Sequence, residues 1–487
     1  MAKNPLTVRR GAVFWIGGAL LLLAALAAVG LWYRQDQAVR ATWRAARPTQ
    51  PDLGETTEAF RHRIQEAETR LDHWPPDVAA LGEISRLYLA NGFLHQAEHG
   101  LRALLRYDPT QAHWPHYLAG VLANSGQLDD AIPLWRNVVR LAPDYVPAQL
   151  KLGEALLKTN QAKEAADVFE AVLQRSRNNP YALLGLARIE VDAGHWPAAR
   201  ERLEKAIATD PLFSAAHSFL ATVAAQLGDA STAEAERQRA TVLGRFKEAP
   251  DPWGDELIEV CYNVYRLQVI ASSIASTGGG REALPPLQRA LELAPENAQT
   301  HRQLGKLYSQ LRDWPAARKE LETAVNLQPT EPAAYLDLVN VYRANNDLPA
   351  AFRLLQQGLE RCPNAAGIHY ELALALIADK RSEEALAPLH KARELDPDNL
   401  TAYQQLAVTN FKLGRDADAV EALQAALARN PNFGPVLLMM ARYQIQSGAA
   451  EAAEASLVRA RNVGAPEANL EELAQMFYRQ FGRAPKA

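Results

Sequence analysis

One residue returning at a fixed interval limits what this chain can fold into. Alanine recurs every 34 residues at Ala97, Ala131, Ala165, Ala199 and Ala233. After one slip in register it recurs at Ala283, Ala317, Ala351, Ala385, Ala419 and Ala453. In a 34-residue frame starting at Val78, these alanines fall at position 20. Position 32 is proline at Pro109, Pro143, Pro211, Pro295, Pro329, Pro363, Pro397 and Pro431. A fixed period of this length implies one supersecondary unit stacked on its own copies, so no single globular core is needed.

Within the frame, positions 7, 8 and 11 form one helical stripe, as in Leu304, Gly305 and Tyr308. Positions 20, 24 and 27 form a second, as in Ala317, Leu321 and Ala324. Small residues at positions 8 and 20 let the paired helices approach, and proline at 32 ends the second helix. This pattern resembles the tetratricopeptide repeat. Eleven frames fit, from Val78 to Glu467, with the usual tryptophan at position 4 replaced, for example by Leu81, His301, Tyr335, His369 and Tyr403. The resemblance implies an all-α superhelical solenoid of about eleven helix-turn-helix repeats and names no ligand.

The amino terminus reads differently. Gly11 to Trp32 is an uncharged run of 22 residues, long enough to span a bilayer, bounded by Arg9 and Arg10 before it and Arg34 after it. Trp32 and Tyr33 suit the interfacial belt. The sequence therefore predicts a tail (1–10), a transmembrane anchor (11–32) and a juxtamembrane linker (33–54). The alternatives are a signal peptide cleaved after Ala25-Leu26-Ala27 and, for the flank with Val39 and Trp43, a helix lying on anionic lipid. The arginine- and alanine-rich composition fits a bacterial chain. A short leading tail that stays in the cytoplasm would place the anchor in the inner membrane and the repeats in the periplasm. A cytoplasm-facing array is the alternative.

A capping helix is expected over 55–76, with Phe60, Ile64, Ala67 and Leu71 on one stripe. A first block of five repeats covers 78–247, and a second block of six covers 264–467. A final capping helix and tail span 468–487, with Leu470, Leu473, Met476 and Phe477 apolar. The slip between the blocks is 16 residues. Trp196-Pro197-Ala198-Ala199-Arg200 and Trp314-Pro315-Ala316-Ala317-Arg318 lie 118 residues apart, three periods and 16 more. The extra residues, 248–263, are expected to lengthen the next first helix and to act as a hinge after Pro250 and Pro252. Trp253, Tyr262, Tyr265 and Arg266 are candidate partner contacts there. Gly278-Gly279-Gly280 reads as the turn inside the sixth frame.

Little here points to catalysis. His95-Gln96-Ala97-Glu98-His99 matches H-x-x-E-H, and His95 and His99 could share one metal, but Ala97 is the repeat alanine of an ordinary second helix. These two, with His113 and His116, are read as solvated histidines. No phosphate-binding loop, G-x-S-x-G or C-x-x-C occurs, and Cys261 and Cys362 have no metal or redox spacing. Outside the repeats no stretch approaches the roughly 100 residues of a catalytic domain. With 52 Lys and Arg against 56 Asp and Glu, the net charge of −4 calls for no nucleic acid. The expectation is a non-enzyme without cofactor. It would be a membrane-anchored scaffold for proteins or peptides in a bacterial envelope complex, binding in the concave groove lined by first helices. A holdase for unfolded clients is the second reading, and a metal enzyme at His95 and His99 the third. In peptide-binding relatives, basic and amide residues on first helices clamp a terminal carboxylate. The resemblance puts Arg302, Lys306, Asn340 and Arg343 in that role, with Lys306 standing where an asparagine is usual.

Overall fold

The computed structural model describes the backbone of residues 5–54, 56–243, 248–277 and 280–485, and side chains from residue 26 onward. Gly278 and Gly279 of the expected glycine turn lie outside the described residues, as does Arg245 at the end of the fifth frame. Among the described residues, all regular structure is helical. The chain divides into two compact units, Met1–Ala294 and Pro295–Ala487.

The first unit begins with α1 (Pro5–Ala46) and α2 (Glu58–Leu71). Five hairpins follow: α3 and α4 (Val78–Ala90, Leu94–Tyr107), α5 and α6 (His113–Asn124, Leu128–Leu141), α7 and α8 (Val146–Lys158, Ala162–Arg175), α9 and α10 (Pro180–Asp192, Trp196–Thr209), and α11 and α12 (Ser214–Gln226, Ala230–Leu243). Then come α13 (Pro252–Glu259) and the pair α14 and α15 (Val264–Ser276, Leu284–Leu293). The second unit holds α16 and α17 (Ala298–Gln310, Trp314–Leu327), α18 and α19 (Pro332–Ala344, Leu348–Arg361), α20 and α21 (Ala366–Ala378, Ser382–Leu395), α22 and α23 (Leu400–Lys412, Asp416–Arg429), and α24 and α25 (Gly434–Gln446, Ala450–Asn462). It closes with α26 (Glu467–Phe481).

The period has a direct physical cause. All eleven repeat alanines are at most 3 % exposed. At position 8 of the third and seventh frames a side chain would not fit beside the neighbours present: a Cβ on Gly153 would lie 2.5 Å from the Phe169 ring, and one on Gly305 2.4 Å from Leu321, while most other frames carry alanine there. The turn between paired helices puts one residue in the left-handed region at position 15. It is glycine at Gly92, Gly126, Gly194, Gly228, Gly414 and Gly448, but Asn160, Arg312, Asn346 and Lys380 elsewhere. The missing tryptophan at position 4 is also explained. Gln149, His217, His301, Tyr335 and His369 each donate across the repeat junction to the carbonyl of the position-32 proline six residues earlier, at 2.6–3.0 Å. A hydrogen-bond donor at position 4 satisfies a carbonyl left over where the preceding helix ends.

The capping stripe Phe60, Ile64, Ala67 and Leu71 is buried on α2, and Leu470, Leu473 and Phe477 are buried on α26. In the amino-terminal region the linker, residues 33–54, departs from expectation. No helix among the described residues is long and apolar enough to cross a membrane. Most side chains of the expected anchor, up to residue 25, lie outside the described residues. The expected linker is helical as far as Ala46, because α1 runs on and docks. Trp43 is buried, donates from Nε1 to the Leu71 carbonyl at 3.2 Å, and meets the Tyr107 ring edge-on at 5.0 Å. It is therefore packed in protein and not on lipid.

Candidate partner-binding groove

The 16 extra residues form a helix of their own and do not lengthen α14. The chain breaks after Glu259, and Asn263 accepts from the Arg266 amide at 2.9 Å to start α14 afresh. The stretch expected to act as a hinge is laid across the first helices of the first unit, and α13 packs against α3 and α15. The segment meets those helices in reverse chain order. Tyr181 on α9 donates to the Glu248 carbonyl at 3.1 Å. Residues 251–253 lie over α7 and α5, and Asn91 at the end of α3 donates to the Val260 carbonyl at 3.0 Å and accepts from the Tyr262 amide at 2.7 Å.

Asp251 is the centre of this contact. His116 Nε2 lies 3.1 and 3.0 Å from its two oxygens and carries the proton of that pairing, because a carboxylate only accepts. The Tyr145 hydroxyl donates to Oδ1 at 2.5 Å, and Lys151 Nζ stands 3.6 Å from Oδ2. Burial opposes the Asp251 charge. The His116 and Tyr145 hydrogen bonds and the Lys151 charge outweigh it and hold the carboxyl well below the usual carboxylate range. Burial, aided by the bond to Asp251, pushes the Tyr145 hydroxyl up, so it stays a donor.

Two residues on, Trp253 lies flat against the Tyr145 ring at 3.5 Å and 9°, with the His113 ring at 4.0 Å and 29°. Its amide donates to the Tyr145 hydroxyl at 3.0 Å, and its carbonyl accepts from Tyr117 at 2.8 Å. Beyond the segment, a recess of about 1000 Å³ stays open over α7, α9, α11 and α12, lined by Glu154, Arg188, Ser218, Phe219, Arg237 and Glu248.

The residues expected from sequence fall into three groups. Trp253 and Tyr262 are half-buried and engaged within the chain; Tyr262 packs near Phe60, with the Arg289 guanidinium 5.2 Å from its ring centre. Arg266 is half-buried with its Nε unpartnered, and Tyr265 is 74 % exposed. In the second unit, Arg302 is ion-paired with Asp337 at 2.6 Å and Arg343 with Glu371 at 2.7 Å, each acid lying on the next first helix, while Lys306 and Asn340 are exposed. His95 and His99 are exposed on α4, and His99 Nε2 lies 3.0 Å from the Ala45 carbonyl. Among the described residues no three His, Cys, Asp or Glu side chains are grouped to hold a metal. His116 is not the solvated histidine expected: it is 4 % exposed, with Nδ1 buried and unpartnered.

Sequence reading missed Asp251, Tyr145, Lys151, Tyr117 and Asn91. Tyr145 precedes the first helix of its frame and Asn91 follows that of its own, outside the apolar stripes, so the period gives neither a signal. A proline on each side of Asp251, with Trp253 next, was the one visible hint.

The hairpins, their 34-residue spacing and the alanine-lined helix pairs define a helical-repeat solenoid. Sequence models of the tetratricopeptide repeat match residues 160–223 and 280–342, 117–180 and 370–433, and 332–375, together more than half of the chain. This chain is a tetratricopeptide-repeat protein. It is similar to human protein O-mannosyl-transferase TMTC3, with 24 % identity over 36 % of this chain and 21 % of the relative. It is also similar to DnaJ homolog subfamily C member 3 from Rattus norvegicus, with 25 % identity over 50 % of this chain and 42 % of the relative. The chain thus spans less than half the length of either. The crystal structure of MamA matches at 23 % identity and a TM-score of 0.30, over 33 % of this chain and 95 % of that one.

Proposed function

We propose that this protein is an interaction scaffold that takes a segment of a partner protein along the first helices of its first unit. One observation carries the reading: that face already holds a stretch of polypeptide, residues 248–262, non-helical up to Asp251 and helical over Pro252–Glu259, by side-chain bonds to its backbone and by a pocket for one carboxylate and one ring. The open recess beside it offers more surface of the same kind. The 22-residue apolar run at 11–32 supports anchoring in a bacterial inner membrane, with the repeats in the periplasm as part of an envelope complex. Arg302 and Arg343 remain candidate carboxylate contacts of the second unit, where a ligand would have to displace Asp337 and Glu371.

The test is photo-crosslinking in native membranes from a reactive residue placed at Ser218, in the recess, and from a control at exposed Glu201 on α10. The scaffold reading predicts one or a few discrete adducts from position 218 and none from 201. A smear of many clients would favour a holdase, and no adduct at either position would overturn both. A reporter active only outside the cytoplasm, fused after Ala487, should be active; activity of a cytoplasmic reporter instead would reverse the topology.

A further inference from the structure

The segment over the groove is held unlike any repeat helix. Within the segment only Cys261 is fully buried, with Leu257, Ile258 and Val260 half-buried around it, and α13 buries no side chain fully, whereas each described repeat helix buries at least two. Its contacts are those a bound peptide makes: backbone bonds from Tyr181, Tyr117 and Asn91, a carboxylate among His116, Tyr145 and Lys151, and one stacked ring. Charge is complementary at Asp251, which faces Lys151 and the His116 N–H. Glu256 lies 4.0 Å from His113, whose burial favours its neutral form, beside a recess that also holds Arg86. The fit is incomplete on the groove side, where His116 Nδ1 and Arg86 Nε are buried without partners. Such atoms cost free energy in the closed arrangement and would favour an occupant that reaches them.

We propose that residues 248–262 are a built-in stand-in for a ligand, and that the pocket of His116, Tyr145, Lys151 and His113 receives a partner segment that begins a helix there, with a carboxylate at the helix cap and an aromatic ring two residues on. The partner displaces Asp251 and Trp253 and takes over their contacts. This rests on the scaffold reading and adds the partner's chemistry and a threshold. While the segment is docked, the apparent affinity for any competitor is reduced by the fraction of time the groove is open.

The test uses the full chain in detergent and, as probe, a fluorescent peptide with this chain's own residues 248–262. The Asp251→Ala/Trp253→Ala chain should bind it at least roughly tenfold more tightly than the unaltered chain. A probe with asparagine in place of Asp251, or Lys151→Glu added to the double variant, should lose most of that gain. Asp251→Asn, which keeps the shape, is the second receptor and should gain about threefold, in case the double variant fails to fold. Circular dichroism and thermal melting establish which receptors are folded. A folded receptor that gains nothing over the unaltered chain overturns the proposal, and so does a gain that ignores the probe's Asp251. The crosslinking above separates the two readings. Adducts at position 218 with no peptide gain leave the scaffold standing without this pocket. A peptide gain with no adducts reduces the segment to a latch without a partner and overturns the proposal as stated.

Discussion

Helix α8 and helix α13 lie in the same unit and are held by opposite means. On α8, Ala165, Phe169 and Val172 are buried, and the Phe169 ring fills the space left by Gly153 and Gly185 on the two flanking first helices. On α13 no side chain is fully buried: Trp253, Leu257 and Ile258 lie half-buried against core residues, and the rest of the hold comes from a carboxylate, a stacked ring and backbone bonds. Apolar burial in a close-packed stack cannot be given up piecemeal, because each repeat is stabilised by its neighbours. Polar and ring contacts at a half-exposed surface can be exchanged for equivalents from water or another chain, so their net contribution is small. The solenoid is thus the fixed part of the molecule and the insert the exchangeable part.

That contrast is broken most easily at the stack. Phe169→Ala should cost about 3–5 kcal/mol, read as a fall in the chemical-denaturation midpoint; a loss under 1 kcal/mol would mean the ring is not the wedge between hairpins. Ala317→Trp, by overpacking a fully buried position, should cost about 1–3 kcal/mol or more in the second unit, and a neutral result would mean the helix pair does not close there. On the insert, Trp253→Ala should lower global stability by less, about 1–2.5 kcal/mol, the worth of its ring contacts and of its half-buried area. A loss as large as that of Phe169→Ala would place α13 in the core and remove the distinction. The smallest effect should be a gain. Lys380 holds a left-handed backbone at φ 63° where six other repeats use glycine, and Lys380→Gly should stabilise by about 0.5–1 kcal/mol. An unchanged or lower melting point would show that the turn is not strained.

Much of the solenoid is legible in the amino-acid sequence, because the features that define it are periodic. The position-20 alanines, the position-8 glycines and both capping stripes lie where the helical spacing puts them. The donors at position 4 are visible as departures from the family's tryptophan, but their target, a proline carbonyl in the preceding turn, appears only when consecutive repeats are stacked. The groove is the hard part. Trp253 and Tyr262 stand out as aromatic residues in a register slip. Their partners Tyr145 and Asn91 sit at helix ends, and His116 looks like any surface histidine until Asp251, 135 residues later, is placed against it. Period and stripe describe neighbours along one helix and carry no information about a segment that folds back over several repeats. For the same reason the change of register marks the insert, while the boundary between compact units falls at residue 294, one hairpin further on.

The central claim, that residues 248–262 are docked on the repeats and not part of them, is tested most directly by amide hydrogen exchange on the full chain under native conditions. Exchange reports the free energy of opening for each stretch. The account predicts that amides of 251–260 exchange at least roughly tenfold faster than those of α5 and α7 beneath them, by an opening that leaves those helices protected. Equal protection of α13, α5 and α7, lost together only on global unfolding, would contradict it.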